Sequence, residues 1–211
     1  MNEPFTHSPL NHKKPSIRLV QILRPLSSKG LIQCRVWHTV MTTTYSCVSY
    51  RWGDPDPTCE IEINGESFAV RQNLFNFLSI VREDASRDAS PEAYWIDAIC
   101  IDQTDILERN HQVAQMGQIF SNATSVHIWL GSVPSALVGV MRTIRRDNGN
   151  PSSMDWNEVH LQSNLYLINK YVINNRYFRR AWVTQEVLLA RNVTVRLGGH
   201  RGAKAIWVSL Q

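Results

Sequence analysis

Along the first half of the chain, apolar and polar residues alternate in short runs, and each run predicts a β-strand. Ile17-Arg18-Leu19-Val20-Gln21-Ile22-Leu23 alternates in this way until Arg24-Pro25 stops it. Tyr45-Ser46-Cys47-Val48-Ser49-Tyr50 reads as a compact strand, and the breaker-rich Trp52-Gly53-Asp54-Pro55-Asp56-Pro57 follows it. Alternating runs at 60–63 and 66–70 flank Asn64-Gly65, the strongest short signal for a hairpin. Leu74, Phe77, Leu78 and Val81 then recur at helical spacing, which predicts an amphipathic helix over 72–84.

In the second half the runs lengthen. Tyr94–Ile101 is nearly all apolar, a pattern that suits a strand covered on both faces. Asp105 and Glu108 form a capping pair for a helix to about 121, with Leu107, Val113, Met116, Ile119 and Phe120 among its apolar positions. Residues 125–130 read as another buried strand. Helical patterns follow over 134–146, 158–174 and 178–190, with a turn at 147–151. A strand at 193–197 and the start of a helix at 203–211 complete the reading. Strands interleaved with helices predict an α/β fold: a mainly parallel sheet flanked by helices, with a β-hairpin insertion at its side and extra helices.

Composition narrows the class. At 211 residues, with 43% hydrophobic and 19% charged positions, the chain excludes disorder as its main state and needs no disulfide or metal to fold. Residues 1–16 are polar and Pro-rich and are expected as a disordered leader, with 17–211 a single domain. No apolar run is long enough for a membrane span, and the N-terminus has no secretory apolar core, so a cytoplasmic, intracellular location is expected. The four cysteines lack metal-ligand spacing and read as free thiols, with Cys47 and Cys100 inside apolar runs; no metal is expected. Seven Trp call for a core, a pocket or an interface. Residues 171–211 carry seven Lys or Arg against one acid, Glu186. That balance attracts phosphate-bearing ligands or acidic surfaces if it is not simply a solvated face, and nucleic acid is the less favoured target.

Four blocks stand out together: Tyr45–Asp54 (YSCVSYRWGD), Tyr94–Gln103 (YWIDAICIDQ), Glu108–Met116 (ERNHQVAQM) and Arg180–Val187 (RAWVTQEV). In this order and spacing they resemble the fungal HET (heterokaryon incompatibility) domain over about 45–190, although Asp102 stands where that family usually has Asn. The resemblance implies a death-inducing module of fungal non-self recognition, usually the N-terminal part of a longer protein, with self-association and an upstream recognition or NLR-type partner. The first block also looks like the first strand and loop of TIR domains, and the last resembles their segment in which a Trp precedes a Glu by four residues. That likeness implies a TIR/flavodoxin-like fold. It also carries the catalytic role of NAD-cleaving TIR domains onto Glu186, with NAD+ as substrate rather than cofactor. A non-catalytic module that signals death by self-association is the alternative.

The residues themselves leave choices open. Glu186 lies one helical turn after Trp182, so both are expected on one helix face. It reads either as a salt-bridged helix Glu or as a pocket carboxylate that stabilises positive charge on a ribose. Ser49, Arg51, Trp52 and Gly53 follow a buried strand, where ligands collect in open parallel sheets. Arg51 suits a phosphate, Trp52 a stacked ring or the core, and Gly53 a close backbone approach. Asp97 needs a partner or a role if its strand is buried, and Gln103 flanks the same block. Arg109 is either a phosphate contact or the partner of Glu108 or Asp105. Ser49 and Cys100 are weak candidates as nucleophiles, with no elbow motif beside either.

Overall fold

The computed structural model describes residues 3–11, 13–84, 92–146, 158–199 and 206–210. The expected turn at 147–151 lies outside them.

Among the described residues, nine strands form one sheet in the order β5-β4-β2-β1-β6-β3-β7-β8-β9. They are β1 (Ser16–Leu26), β2 (Ile32–Val40), β3 (Ser46–Tyr50), β4 (Thr58–Ile63), β5 (Glu66–Arg71), β6 (Ala93–Trp95), β7 (Ser125–Val133), β8 (Val193–Gly199) and β9 (Ile206–Leu210). The central pairs β6–β3, β3–β7 and β7–β8 are parallel, as expected for the apolar runs. All five positions of β3 are buried, as a strand covered on both faces requires. The flanks are not parallel. β1 pairs antiparallel with both β2 and β6, β4 with β5, and β8 with β9, so the sheet as a whole is mixed.

The helices are α1 (Gln72–Asp84), α2 (Asp97–Cys100), α3 (Ile106–Asn122), α4 (Ser135–Arg146), α5 (Glu158–Ile168) and α6 (Val183–Leu188). A π-helical turn at Asn169–Ile173 extends α5, and a 3-10 turn at Arg176–Arg179 precedes α6. The β4–β5 hairpin turns at Asn64 and Gly65 with φ of 53° and 91°, the left-handed pair that Asn-Gly supplies. It joins the sheet edge through a parallel contact between β4 and β2.

Several expectations are corrected. The apolar run 94–101 is a strand only to Trp95; α2 then turns Ile99 and Cys100 into the core. An all-apolar run fits a buried strand and a buried helix equally well, and here Asp97 turns back to accept the Ala98 N–H at 2.8 Å. β2 was not expected, although Ile32, Cys34 and Val36 alternate to the core. Residues 206–210 pair with β8 as a strand instead of opening a helix. The segment expected as a free leader packs on the sheet: Phe5 N donates to Ser67 O, Ser67 N donates to Glu3 O, and Leu10 is buried.

α3 also turns differently. Asp105 caps it, accepting from Leu107 N and Glu108 N at 2.9 and 3.1 Å, but Glu108 does not complete the capping box. Its carboxylate turns inward to Arg18 of β1, while Leu107 faces solvent. A buried arginine demands polar partners, and Glu108 meets that demand, with Gln112 one turn on buried beside it.

Candidate functional site

Within the parallel part of the sheet, chain connection reverses at β3. The chain leaves β3 for β6 on one side, then returns past β3 to β7 on the other. In open α/β sheets the crevice at such a reversal, beyond the carboxyl ends of the strands, is where ligands bind. A cleft of about 620 Å³ lies there. Arg51 and Gly53 after β3 line it, as do Trp129–Ser132 at the end of β7, Asn73 and Asn76 of α1, and Lys170 and Arg176. Asn73 ties the walls together: Nδ2 donates to Arg51 O at 2.5 Å, and Oδ1 accepts from Trp129 Nε1 at 3.0 Å. Gly53 turns the loop with φ of 83°, a conformation that a side chain disfavours.

Beside the cleft, Glu186 is buried and bound on both oxygens. Arg180 donates to each of them at 2.9 Å, Nη1 to Oε2 and Nη2 to Oε1, and the Ser49 hydroxyl donates to Oε2. Ser49 therefore has no proton left for Tyr177, so the Tyr177 hydroxyl donates to Ser49 Oγ at 2.6 Å. Burial pushes the Tyr177 phenol up to about 12, which keeps that donor protonated at neutral pH. The Arg180 guanidinium also lies 5.6 Å from the centre of the Tyr177 ring. The cluster adjoins the cleft at two points, since Ser49 leads to Arg51 and Tyr177 follows Arg176.

A second set of polar groups meets the first across Arg180. Trp52 Nε1 donates to Asp97 Oδ2 at 2.7 Å, and Gln103 Nε2 donates to Asp97 O at 2.9 Å. Burial raises the Asp97 carboxyl above its ordinary value, against the Trp52 bond and the Arg180 charge, and the Glu186 charge adds to the rise. Trp52 and Gln103 line a smaller pocket of about 210 Å³ with Tyr50 and Phe68, and Arg71 stacks 5.1 Å from the Trp52 ring centre.

The structure therefore gathers Ser49, Trp52, Asp97, Gln103 and Glu186 at one end of the sheet, with Arg51 and Gly53 on the adjoining cleft. Two candidates stand apart. Arg109 is exposed, with Nη1 3.5 Å from Gln103 O, and pairs with neither Glu108 nor Asp105. Trp182 lies one turn before Glu186, whose N–H donates to Trp182 O at 3.0 Å, but it faces solvent. The physical reason is that α6 starts only at Val183, because 176–179 winds as a 3-10 turn capped by Asn175. Tyr177, Arg180 and Asn73 are members that sequence reading missed. Arg180 stands in a recognised block, and its spacing of six from Glu186 was the available signal.

Burial raises the Cys34 and Cys100 thiols to about 12 and the Cys47 thiol well above its ordinary value, so none is a thiolate at neutral pH. None of the hydrogen-bond partners of Ser49 is a histidine. Among the described residues no group of three or more His, Cys, Asp or Glu is placed to hold a metal, and no helix is long and apolar enough to cross a membrane.

Fold and site together define an α/β domain with a polar cluster and a cleft at the carboxyl ends of its central parallel strands. The family model for Heterokaryon incompatibility protein (HET) matches residues 45–186, more than half of the chain, and the chain belongs to that family. Over 97 residues it is 37% identical to heterokaryon incompatibility protein 6, OR allele, of Neurospora crassa. That match covers 42% of this chain and 14% of the relative, so the chain spans only a small part of the relative's length. No solved structure matches the chain.

Proposed function

We propose that the chain is an effector module of fungal heterokaryon incompatibility, the cell-death response to non-self, and that it acts by cleaving NAD+ at the nicotinamide–ribose bond. The observation that carries this reading is the convergence of Glu186, Ser49 and Arg180 beside a cleft at the sheet's switch point. The TIR/flavodoxin-like reading of the fold belongs to the same proposal. It is supported by the order β6-β3-β7-β8, which in chain order runs second, first, third, fourth, as in one common doubly wound topology.

In this mechanism Arg51, Lys170 and Arg176 hold the pyrophosphate, and the nicotinamide ribose faces Glu186. The positively charged nicotinamide leaves as the neutral base, taking the electrons of the glycosidic bond. The Glu186 carboxylate stabilises the oxocarbenium-like carbon that remains. Water adds to that carbon and loses its proton to solvent, giving ADP-ribose. In the resting arrangement Arg180 holds both Glu186 oxygens, so turnover requires Arg180 to swing away, with the substrate phosphates as the competing anion. Self-association and an upstream recognition or NLR-type partner supply the trigger in this reading.

A second reading has one observation in its favour. Both Glu186 oxygens are already bound, as in a purely structural ion pair, and a non-catalytic module acting by self-association needs nothing more. Following nicotinamide release from NAD+ by the purified chain tests the two. The enzymatic reading expects release, with Arg51→Ala and Arg176→Ala raising KM and changing kcat little. Wild-type protein that releases nothing at any concentration returns the module to the second reading.

A further inference from the structure

We propose that the face built by α6 and the turn before it is a docking surface for a membrane bearing anionic lipid headgroups. α6 turns Glu186 inward and presents Trp182, Gln185 and Leu189 outward at i, i+3 and i+7, with Leu188 beside them. Trp182 and Leu189 are 44% exposed and Leu188 77%, while Phe178 in the preceding turn is 50% exposed. The face borders the second half of α3. A β-carbon at Gly117 would stand 3.6 Å from Leu189 Cδ1, so the two helices touch there. Single exposed apolar residues are ordinary, but this many on one face mark a binding surface.

Charge identifies the occupant. Between 159 and 199 the only acid is Glu186, which is buried against Arg180. Arg179, beside Phe178, and Arg191, just after Leu189, are exposed. Along α6 and the turn before it, the surface thus joins large apolar side chains to cations, and no described residue of 162–198 offers an exposed carboxylate. A bilayer interface carrying anionic lipid complements both properties at once, and Trp with Leu is the pairing such an interface takes up. A second copy of the chain is the competing occupant, and light scattering separates the two. The inference does not depend on whether Glu186 does chemistry.

The test is co-sedimentation of the chain with phosphatidylcholine vesicles, with and without phosphatidylserine, at low and raised salt. We expect binding only to the phosphatidylserine vesicles, weakened by salt. Arg179→Gln with Arg191→Gln should weaken it about thirtyfold, the effect of losing two cations at an anionic surface. Trp182→Ser with Leu188→Ser should abolish it. These side chains are solvent-facing, so the fold should survive; if a variant does not fold, the lipid and salt dependence of the wild type decides alone. Equal binding to both vesicle types, or to neither, overturns the proposal. So does light scattering in which the same substitutions abolish self-association while vesicle binding stays unchanged.

Discussion

Arg18 is the sharpest test of how the site's framework is held. Its side chain and that of Glu108 are 1% and 2% exposed. Nη1 and Nη2 reach Glu108 Oε1 and Oε2 at 2.5 and 2.9 Å, and Nη1 also donates to Cys100 O at 3.0 Å. One guanidinium thus clamps the end of α2, the start of α3 and β1. Arg18→Met keeps the apolar stem but strands Glu108, whose remaining donor is Asp102 N at 2.7 Å. Breaking a buried pair from one side costs about 3–5 kcal/mol, because the surviving charge stays buried. For a chain of this size that lowers Tm by roughly 10 °C or more. Arg18→Met with Glu108→Met removes both charges and should recover most of the loss. Burial opposes the Glu108 charge, but the Arg18 bonds and the Asp102 N–H outweigh it, so the carboxyl lies below its usual value. The pair's contribution is therefore whole above the unfolded value of about 4.5 and is lost as pH falls through the lower folded value. The gap between wild type and Arg18→Met should narrow in acid. Thermal unfolding by circular dichroism, repeated across pH, measures all of this. A single-variant loss under about 1 kcal/mol, or a double variant as unstable as the sum of its parts, refutes the reasoning.

Two further outcomes follow from the packing. Gly198 has no room for a side chain: an added β-carbon would collide with the buried Trp129 ring and stand 2.5 Å from Ile80 Cδ1. Gly198→Ala should therefore cost about 1–3 kcal/mol or more in urea unfolding, and a neutral result would show that this wall yields. Burial opposes the Glu92 charge, yet bonds from His127, Ser46 and Tyr94 hold its carboxyl down at about 2, against an ordinary 4.5. Its stabilisation is present above about pH 4.5 and is lost toward pH 2, so Glu92→Gln should flatten acid unfolding in that window. An unchanged acid transition would remove Glu92 from the account.

The parts of the fold legible in the sequence were those with a single physical solution. Tyr45–Tyr50 and Ser125–Leu130 are too short for a helix and end at breakers, which leaves buried strands, and Asn64-Gly65 specifies one turn. Leu74, Phe77 and Leu78 place α1 at its observed bounds. Where two solutions compete, only tertiary contacts decide. Residues 97–101 are equally good as strand or helix, and Glu108 as cap or ion-pair partner. Arg18, buried in β1, settles the second choice, and nothing local announces it. The site divides in the same way. Ser49, Asp97 and Glu186 were legible because acids and hydroxyls among apolar neighbours need partners. Tyr177 and Arg180 were not, because their roles depend on a 3-10 turn that carries no periodic signal.

The central claim is that the Glu186 carboxylate acts on NAD+. Its most direct test is nicotinamide release by the chain held at high density on a scaffold, wild type beside Glu186→Gln, with melting recorded on the same samples. The amide keeps the shape and the Ser49 contact but loses the charge. The account predicts release by the wild type and a loss of about a hundredfold to a thousandfold in the variant, with the variant still folded. Equal release by both proteins, or a clustered wild type that leaves NAD+ intact while Glu186→Gln merely melts lower, would contradict it.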